Sequence, residues 1–351
     1  MNLSSFYKCS FFKETIENVE KNFSVFQKEI VLKNYIDGGK ASFEKRDVEY
    51  CCRWSQQSDW DIQRPSILVP IKDDIKLLKI TIENFFDNNI HKKANVIIID
   101  DRSKTNIETL VIESGFSYLR VDNEKGFNFS MLNNIAAKIS HSVGTKEIIL
   151  WNSDLWVVKE KFFDILLKRH RDNKSKISGS KLVYPPKEMS LNKDVDTDNI
   201  KETFPNMVGR EWRNTTQFGG AVFFRTTNSP LVYSPLHYKR FGDKEDPRVN
   251  CDRGTEFVTG ALQIYDSDYF IEIGGLNPSL SKNFQDVDIC LRSCKTGHVP
   301  MYFGKDIYFY HDESANFHSN VDEEKNDNQM VSDHILFSKI WNMELQKIIF
   351  Q

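Results

Sequence analysis

Short apolar strands alternate with amphipathic helices between residues 64 and 151, and this alternation constrains the fold more than any other feature. Strands that alternate with helices form βαβ units, in which the strands pair in parallel and helices cover both faces of the sheet. The sequence therefore predicts an α/β fold with a mainly parallel central sheet flanked by helices. The predicted strands are Ser66–Pro70, Asn95–Ile99, Phe116–Val121 and Glu147–Trp151, and the predicted helices are Ile75–Phe86, Asn106–Ser114 and one that begins at Ser130.

The rest of the chain has a less regular pattern. Residues 1–63 show broken helical patterning and many charges, which predicts an N-terminal extension of helices and loops. Residues 185–216 are polar with scattered prolines and are expected to form a long loop. Further strands are predicted at Phe218–Phe224, Phe257–Tyr265 and Ile307–Tyr310, and further helices at Gln285–Lys295 and near residues 330–349.

The composition excludes several classes of protein. The 351 residues are 40% hydrophobic and 28% charged, which fits a globular protein with a sizeable core. The 47 basic and 50 acidic residues give a net charge of -3, so the chain has no broad basic field to hold nucleic acid. No apolar run approaches the roughly 18 residues of a membrane helix, and the first residues lack the pattern of a signal peptide. We therefore expect a cytoplasmic protein.

The six cysteines do not predict a metal site. None of them forms a CxxC pair, which is the usual mark of structural zinc. Cys290 and Cys294 are four residues apart on a predicted helix, and we expect buried, reduced thiols there.

Two acidic residues, Asp100 and Asp101, directly follow the predicted strand Asn95–Ile99. Ligands of open α/β sheets bind outside the carboxyl ends of the strands, where carboxylates can accept hydrogen bonds from a base or a ribose. A solvated turn that caps a helix also explains the pair. A dinucleotide-binding site of the GxGxxG type has little support, because Pro70-Ile71-Lys72-Asp73 follows the first strand instead.

Asn152 and Asp154 follow the fourth predicted strand, and His311 follows a strand near the end of the chain. Two oxygen-bearing side chains at a strand end can reach a hard divalent cation and its bound phosphates, and histidine is a frequent metal ligand. An ordinary turn explains Asn152 and Asp154 as well, and a lone histidine is more often structural.

Asp286 and Asp288 lie in the first turn of the helix predicted from Gln285. The helix buries Val287 and Leu291, so we expect both carboxylates away from its core face. The helix dipole favours a carboxylate at this position, which supports a capping role. The same position also suits a general base held on a rigid element.

The order of these motifs resembles the family 2 glycosyltransferases, and more closely the bacterial branch that builds O-antigens, capsules and related surface polysaccharides. The resemblance covers roughly residues 64–318 and rests on SILVPIKDD, VIIIDDRS, NEKGFNFSMLNNIAA, IILWNSDLWV, FVTGALQIYDSDYFIEIGGLN, NFQDVDICLR and YHDES. It implies a GT-A fold with a Rossmann-like sheet at residues 64–320, divided into a nucleotide-binding half (64–155) and an acceptor-binding half (156–320). An N-terminal helical extension (1–63) and a C-terminal helix (321–351) would flank this domain.

The resemblance also implies an activity. Such enzymes transfer a sugar from a nucleotide diphosphate donor to a glycan or lipid-linked saccharide acceptor, with Mn²⁺ or Mg²⁺ as cofactor. By resemblance, Asp286 is the general base, and Asp154 and His311 hold the metal. Because Asp100 and Asp101 are compatible with uracil or thymine, a UDP-sugar is expected first and a dTDP-sugar next. The positions expected at the nucleotide are Pro70, Asp73, Asp100, Asp101, Gly126, Asn133 and Asn152.

A single positioned base and one metal suffice for inversion at the anomeric carbon. Retention through a covalent intermediate would need a second carboxylate as nucleophile. Asp288 differs from Asp286 by about 200° around the helix, at 3.6 residues per turn, so it cannot share that position. We therefore predict inversion.

The chain departs from the family pattern at several positions. Gln285 replaces the acidic neighbour of the base, Asn152 begins the DxD-type element, Arg102 stands in the DDGS-type stretch, and Phe218 replaces a histidine. None of these changes removes a residue that the proposed chemistry requires.

The Gln285 change leaves a non-catalytic glycan-binding or scaffold protein as the alternative. Peripheral association with the inner face of the membrane and homo-oligomer formation also stay open.

Overall fold

The computed structural model describes residues 35–37, 40–44, 50–123, 126–191, 212–225, 233–313 and 323–349. Its strands are β1 (Tyr35–Asp37), β2 (Lys40–Glu44), β3 (Tyr50–Ser55), β4 (Ser66–Ile71), β5 (Asn95–Asp100), β6 (Ser117–Asn123), β7 (Glu147–Trp151), β8 (Leu155–Val157), β9 (Ile177–Ser180), β10 (Leu182–Val183), β11 (Thr216–Phe218), β12 (Ala221–Arg225), β13 (Tyr233–His237), β14 (Asp252–Gly254), β15 (Leu262–Asp266), β16 (Met301–Phe303) and β17 (Phe309–His311). Its helices are α1 (Ile75–Asp87), α2 (Ile90–Lys93), α3 (Glu108–Glu113), α4 (Phe129–Ser142), α5 (Glu160–Asp172), α6 (Ser267–Glu272), α7 (Gln285–Lys295) and α8 (Glu323–Ile349).

The centre of the molecule is the parallel sheet that the strand–helix alternation predicts. Strands β6, β5, β4 and β7 lie side by side, and each neighbouring pair is parallel. Every residue of β4 and β5 is buried, which explains their continuous apolar sequences. Helix α1 buries residues at helical spacing, among them Leu78, Ile82 and Phe85, and so covers the sheet.

Strands added on both sides extend this centre. Within the described residues, eleven strands form one sheet in the order β1-β2-β3-β6-β5-β4-β7-β15-β9-β16-β14. Strand β15 is antiparallel to both β7 and β9, and β9 and β16 are parallel. The sheet therefore continues without interruption across residue 155, where the two predicted halves meet.

The described part of the N-terminal extension differs from the helices expected for residues 1–63. It forms β1, β2 and β3, and β3 pairs antiparallel with β6, with Trp54 opposite Leu119. Cys52 and Trp54 are buried while Arg53 is exposed, which is the two-residue alternation of a half-buried strand. Strand β3 is only six residues long, and its partner strand lies more than sixty residues away. The local sequence pattern therefore did not predict it.

The second half also departs from the expected elements. The strand predicted over Phe218–Phe224 is divided into β11 and β12 at Gly219 and Gly220, where Gly220 has φ +109 and an added Cβ would meet the Arg253 guanidinium. Strand β10 joins β11 and β17 in a second sheet with β8, and β12 pairs with β13. The predicted Phe257–Tyr265 strand is confirmed only from Leu262 onwards. Most of the predicted loop 185–216 lies outside the described residues.

The two predicted C-terminal helices are present. Helix α7 spans Gln285–Lys295 as expected, but it is buried almost all round, and Asp288 is fully buried rather than away from the core. Helix α8 buries Phe337, Trp341 and Leu345, which are four residues apart. Among the described residues, no helix combines the length and the apolar composition that a membrane-spanning segment requires.

The expectation of buried, reduced thiols at Cys290 and Cys294 is confirmed. Cys52, Cys290 and Cys294 are buried and free, and Cys251 is free but partly exposed. Cys9 lies outside the described residues.

Candidate functional site

The carboxylate of Asp154 and the imidazole of His311 form a buried pair. Asp154 lies between β7 and β8, and β17 ends at His311, whose backbone is opposite Leu155 in the antiparallel β8–β17 pairing. Each side chain is less than a tenth exposed, and Asp154 Oδ1 lies 3.1 Å from His311 Nε2. The pairing of β8 with β17 therefore brings together two residues that are far apart in the sequence.

Gln217 orients the imidazole from the opposite side. It lies on β11, and both atoms of its side-chain amide reach His311 Nδ1, with Oε1 at 3.0 Å and Nε2 at 2.8 Å. When Nδ1–H donates to Oε1, the Nε2 nitrogen of the neutral ring, which faces Asp154, carries no proton. Burial, the largest single effect, would lower the pKa of His311, but the carboxylates of Asp154, Glu313 and Asp312 together raise the pKa above its ordinary value. Asn152 is the third contact, with Nδ2 3.3 Å from Nε2.

A second ion pair adjoins this cluster. Glu313 pairs with the Arg240 guanidinium and accepts a 2.9 Å hydrogen bond from the Tyr184 hydroxyl. Burial, the largest single effect, would raise the pKa of Glu313, but Arg240, His311 and His237 together outweigh it and lower the pKa to about 2. Glu313 is therefore ionised across the whole ordinary pH range.

The Asp154–His311 pair has the donor types and the spacing of a divalent metal site. An octahedral ion with ligands at about 2.1 Å has adjacent donor atoms about 3 Å apart, which matches the 3.1 Å between Asp154 Oδ1 and His311 Nε2. Among the described residues, no group of three or more His, Cys, Asp or Glu side chains is arranged to hold a metal. Sites for Mg²⁺ often combine one or two protein ligands with phosphate oxygens.

Asp286 lies in the first turn of α7, and two backbone N–H groups hold its carboxylate from two sides. Gly260 N–H donates to Oδ2 at 2.7 Å, and Val287 N–H donates to Oδ1 at 2.8 Å. Burial raises the pKa of Asp286, and these two donors offset part of the rise. The carboxylate is therefore a stronger base than an ordinary aspartate and is held in one orientation.

The backbone connects Asp286 to the Asp154–His311 pair. Strands β7 and β15 are antiparallel, with Trp151 opposite Leu262. The next residue along β7, Asn152, continues this pairing, since its N–H donates to Ala261 O at 3.0 Å. Because Ala261 adjoins Gly260, the residue that contacts Asp286, the base candidate and the metal candidates lie at the same end of neighbouring strands.

Asp100 and Asp101 have different environments at the end of β5. Asp100 is fully buried and has partners at both oxygens, which are Tyr118 and Arg120 at Oδ2 and Ser103 N–H at Oδ1. It therefore holds the turn and the neighbouring strand in place.

Asp101 keeps one oxygen for another donor. Its Oδ2 pairs with Lys72 at 3.1 Å, while its buried Oδ1 has no hydrogen-bond partner among the residues that the structure describes. Burial raises the pKa of Asp101, and the Lys72 ammonium offsets part of the rise. A buried acceptor without a partner is costly, so a ligand that donates to Oδ1 would gain affinity there.

The other residues predicted at the nucleotide have diverse positions. Pro70 is buried within β4, and Asp73 is exposed with φ +54, where its Oδ1 accepts from Lys104 N–H. Gly126 is exposed with φ +96 ahead of α4. Asn133 is buried in α4, donates to Phe129 O at 2.9 Å and leaves its Oδ1 without a partner.

Several residues of the cluster could not be recognised from the sequence. Gln217 and Glu313 lie beside motifs of the sequence analysis, but nothing in the neighbouring sequence marks Tyr184 or Arg240 as members of a site. Both join the cluster through the strands that they follow, β10 for Tyr184 and β13 for Arg240.

Comparison with known proteins finds distant sequence relatives. No protein-family model matches the chain. A protein from Sinorhizobium fredii, named "Uncharacterized protein y4gI", is 23% identical over 266 residues, which make up 74% of this chain and 26% of that protein. The chain therefore spans about a quarter of the length of this relative.

Several solved structures resemble the chain at low sequence identity. GalNAc-T7 with UDP, GalNAc and Mn²⁺ has a TM-score of 0.50 at 12% identity, over 71% of this chain and 43% of that one. TarS from S. aureus with UDP-GlcNAc has a TM-score of 0.44 at 11% identity, over 79% and 72% of the two chains. The mannosyltransferase PcManGT from Pyrobaculum calidifontis, with GDP-Man and Mn²⁺, has a TM-score of 0.42 at 10% identity, over 89% and 69%. The likeness to GalNAc-T7 confirms the predicted GT-A fold.

Proposed function

We propose that this chain is a metal-dependent, inverting glycosyltransferase that uses a nucleoside diphosphate sugar as donor. The observation that carries the proposal is the buried Asp154–His311 pair at the end of β7, connected through the β7–β15 pairing to Asp286. Glycosyl transfer needs charge stabilisation at the leaving diphosphate and a base at the acceptor hydroxyl. This arrangement offers both at one edge of the sheet.

The nucleoside binds at the ends of β4 and β5. Asp101 Oδ1 accepts a hydrogen bond from the base, and Asp100 keeps the turn in shape. Pro70 and Asp73 shape the adjoining loop, and Gly126, Asn133 and Asn152 line the remainder of the donor site. The UDP in the structure of GalNAc-T7 supports a UDP-sugar as the first choice and a dTDP-sugar as the next.

Asp154 and His311 would hold Mn²⁺ or Mg²⁺, and Gln217, by accepting from Nδ1–H through Oε1, would keep the imidazole in the tautomer that binds metal. The Mn²⁺ in the GalNAc-T7 structure supports this cofactor. When bound, the ion neutralises the negative charge that grows on the diphosphate as the glycosidic bond breaks.

Asp286 accepts the proton of the acceptor hydroxyl as that oxygen attacks the anomeric carbon. Its raised pKa suits this role, and the Gly260 and Val287 donors fix its orientation. Asp288 does not serve as a nucleophile, because its two oxygens are occupied by Arg292 and Trp341 in the core. A single displacement with inversion follows.

The acceptor that we propose is a glycan or a lipid-linked saccharide of bacterial surface polysaccharide synthesis. A lipid-linked acceptor would bring this cytoplasmic protein to the inner face of the membrane. The family resemblance supports this choice through the stretches that contain Asn133, Asp288 and His311.

The decisive test is calorimetric titration with UDP, dTDP, GDP and CDP, each in the presence of Mn²⁺ and of EDTA. One nucleotide should bind only with Mn²⁺, and Asp154→Asn should abolish this dependence. If no nucleotide binds to the folded protein, the proposal is wrong, and the result supports the alternative of a non-catalytic glycan-binding or scaffold protein. Once the donor is known, NMR of the first product anomer should show the configuration opposite to that of the donor.

A further inference from the structure

We infer that the C-terminal helix α8 positions the catalytic base. One face of α8 holds residues 281–288, the segment that carries Asp286, through the side chains of Asp333, Phe337 and Trp341. The inference rests on the proposed function, in which Asp286 is the base. It assigns a role to a helix that lies outside the family resemblance.

Asp333 binds the loop immediately before α7. Its side chain is 2% exposed, and Oδ2 accepts from the backbone N–H groups of Lys282 at 2.8 Å and Asn283 at 2.9 Å. Oδ1 accepts from Ser281 N–H at 3.3 Å. Three consecutive backbone donors thus converge on one carboxylate, which is a strong, charge-assisted arrangement.

Phe284 links this loop to Asp286 in an unfavourable backbone conformation. Its φ is +65, in the left-handed region that a bulky residue rarely adopts. The Phe284 ring stacks on Phe337 with centroids 4.7 Å apart, and it meets the edge of His334 at 4.5 Å. Such a conformation persists only when the surroundings hold it, and here α8 supplies the contacts.

Trp341 fixes α7 on the other side of the base. Its Nε1–H donates to Asp288 Oδ1 at 3.0 Å, and Asp288 Oδ2 accepts from Arg292 Nε at 2.9 Å. Arg292 also donates to the carbonyls of Ile273 and Gly275, both at 2.6 Å. These bonds determine the rotation of α7 about its axis and therefore the direction of Asp286.

The contacts on α8 form a single stripe. Asp333, Phe337 and Trp341 are four residues apart, so one rigid helix holds the chain on both sides of Asp286. On the sheet side, Gly260 N–H holds Asp286. Loss of the α8 contacts would let the carboxylate move relative to the acceptor, and a displacement of about 1 Å can cost about 100-fold in rate.

The test compares variants of α8 in the full chain. Asp333→Ala removes the acceptor for residues 281–283, Asp333→Asn keeps one oxygen, and Trp341→Phe removes the Nε1–H donor together with part of the buried ring. We expect kcat to fall about 10- to 100-fold in Asp333→Ala and less in Asp333→Asn, with the Kd for UDP and Mn²⁺ unchanged. Hydrogen exchange of the amides of residues 281–284 should become faster in the same order.

Two controls on the same helix separate positioning from general destabilisation. Val331 is 57% exposed, so Val331→Ala should change neither kcat nor exchange. Leu345 is buried, so Leu345→Ala should lower the melting temperature without lowering kcat.

The outcomes distinguish the two proposals. If the wild type transfers sugar and Asp333→Ala and Trp341→Phe keep full kcat, or if Leu345→Ala lowers kcat equally, the positioning role is refuted. If the wild type binds no nucleotide and transfers no sugar, the proposed function fails and the inference fails with it.

Discussion

The backbone N–H of Gly260 donates a 2.7 Å hydrogen bond to Asp286 Oδ2, and a Cβ added at Gly260 would lie 3.2 Å from Asp286 Cβ. The turn that contains Gly260, just before β15, therefore approaches α7 so closely that only glycine fits at position 260 without displacing a neighbour. The position of the proposed base depends on this contact as much as on its own side chain.

Gly260→Ala should consequently impair transfer. The added methyl group pushes α7 away and weakens the bond to Asp286, so we expect kcat to fall at least about tenfold. Steady-state kinetics with the identified donor measure the change, and nucleotide binding should stay as in the wild type. Gly254→Ala is a matched control, since its Cβ would meet only the Val299 side chain, at 3.1 Å. Equal activity of both variants would refute the prediction.

Asp286→Asn should remove the base and leave the donor site intact. General base catalysis contributes about 100- to 10,000-fold, so kcat should fall by that amount while the Kd for the nucleotide and Mn²⁺ is unchanged. Asp268→Asn, at an exposed carboxylate of α6, is the control. Transfer by Asp286→Asn at the wild-type rate would show that another group takes the proton.

The pH dependence of kcat should reflect the raised pKa of Asp286. Below that pKa the carboxyl group is protonated and cannot accept a proton, so kcat should decline as the pH falls through it. Because burial raises the pKa, the midpoint of this acidic limb should lie above the ordinary value of 3.8. Loss of the Gly260 hydrogen bond removes a group that stabilises the charged form, so Gly260→Ala should move the midpoint higher. A midpoint at or below 3.8 in the pH–kcat profile of the wild type would contradict this account.

Gln217 should influence metal affinity without contacting the metal. Its side-chain amide contacts His311 Nδ1, with Oε1 at 3.0 Å and Nε2 at 2.8 Å, and loss of such a partner typically lowers metal affinity about 10- to 100-fold. We therefore expect weaker Mn²⁺ binding in Gln217→Ala, measured by titration of the UDP complex. Gln217→Glu keeps an acceptor at this position and should retain most of the affinity. The assignment is wrong if both variants bind Mn²⁺ as the wild type does.

Two ion pairs, each between residues four apart in a helix, should contribute differently to the free energy of unfolding. Asp288 and Arg292 are 0% and 3% exposed, so Asp288→Ala leaves a buried guanidinium without its carboxylate and should cost about 3–5 kcal/mol. Lys168 and Asp172 form the same spacing on the surface, with 74% and 58% exposure, and Lys168→Ala should cost less than about 1 kcal/mol. Urea denaturation measures both, and comparable losses would refute the distinction.

The sequence predicted the features that depend on local pattern. Strands β4, β5, β6 and β7 and helices α1, α4 and α7 were predictable, because continuous apolar runs and helical spacing extend over each element itself. Strand β3 was missed because its six residues acquire their role only by pairing with β6.

The candidate site was predictable only where motifs marked it. Asp154, His311 and Asp286 lie in recognisable stretches, and the structure brings the first two within 3.1 Å. Arg240 and Tyr184 escaped notice, since their contacts with Glu313 arise from the folding of separate strands. The burial of Asp288 could not be foreseen, because its partner Trp341 is 53 residues away.

The bond from Asn152 N–H to Ala261 O continues the ladder between β7 and β15 to the edge of the sheet. The separation between Asn152 and the Gly260 contact to Asp286 is thus set by a hydrogen-bonded lattice rather than by flexible connections. The β12–β13 ribbon, which forms a separate two-stranded sheet, lies outside that lattice. A substitution in either of these two strands would therefore leave the lattice bonds themselves in place.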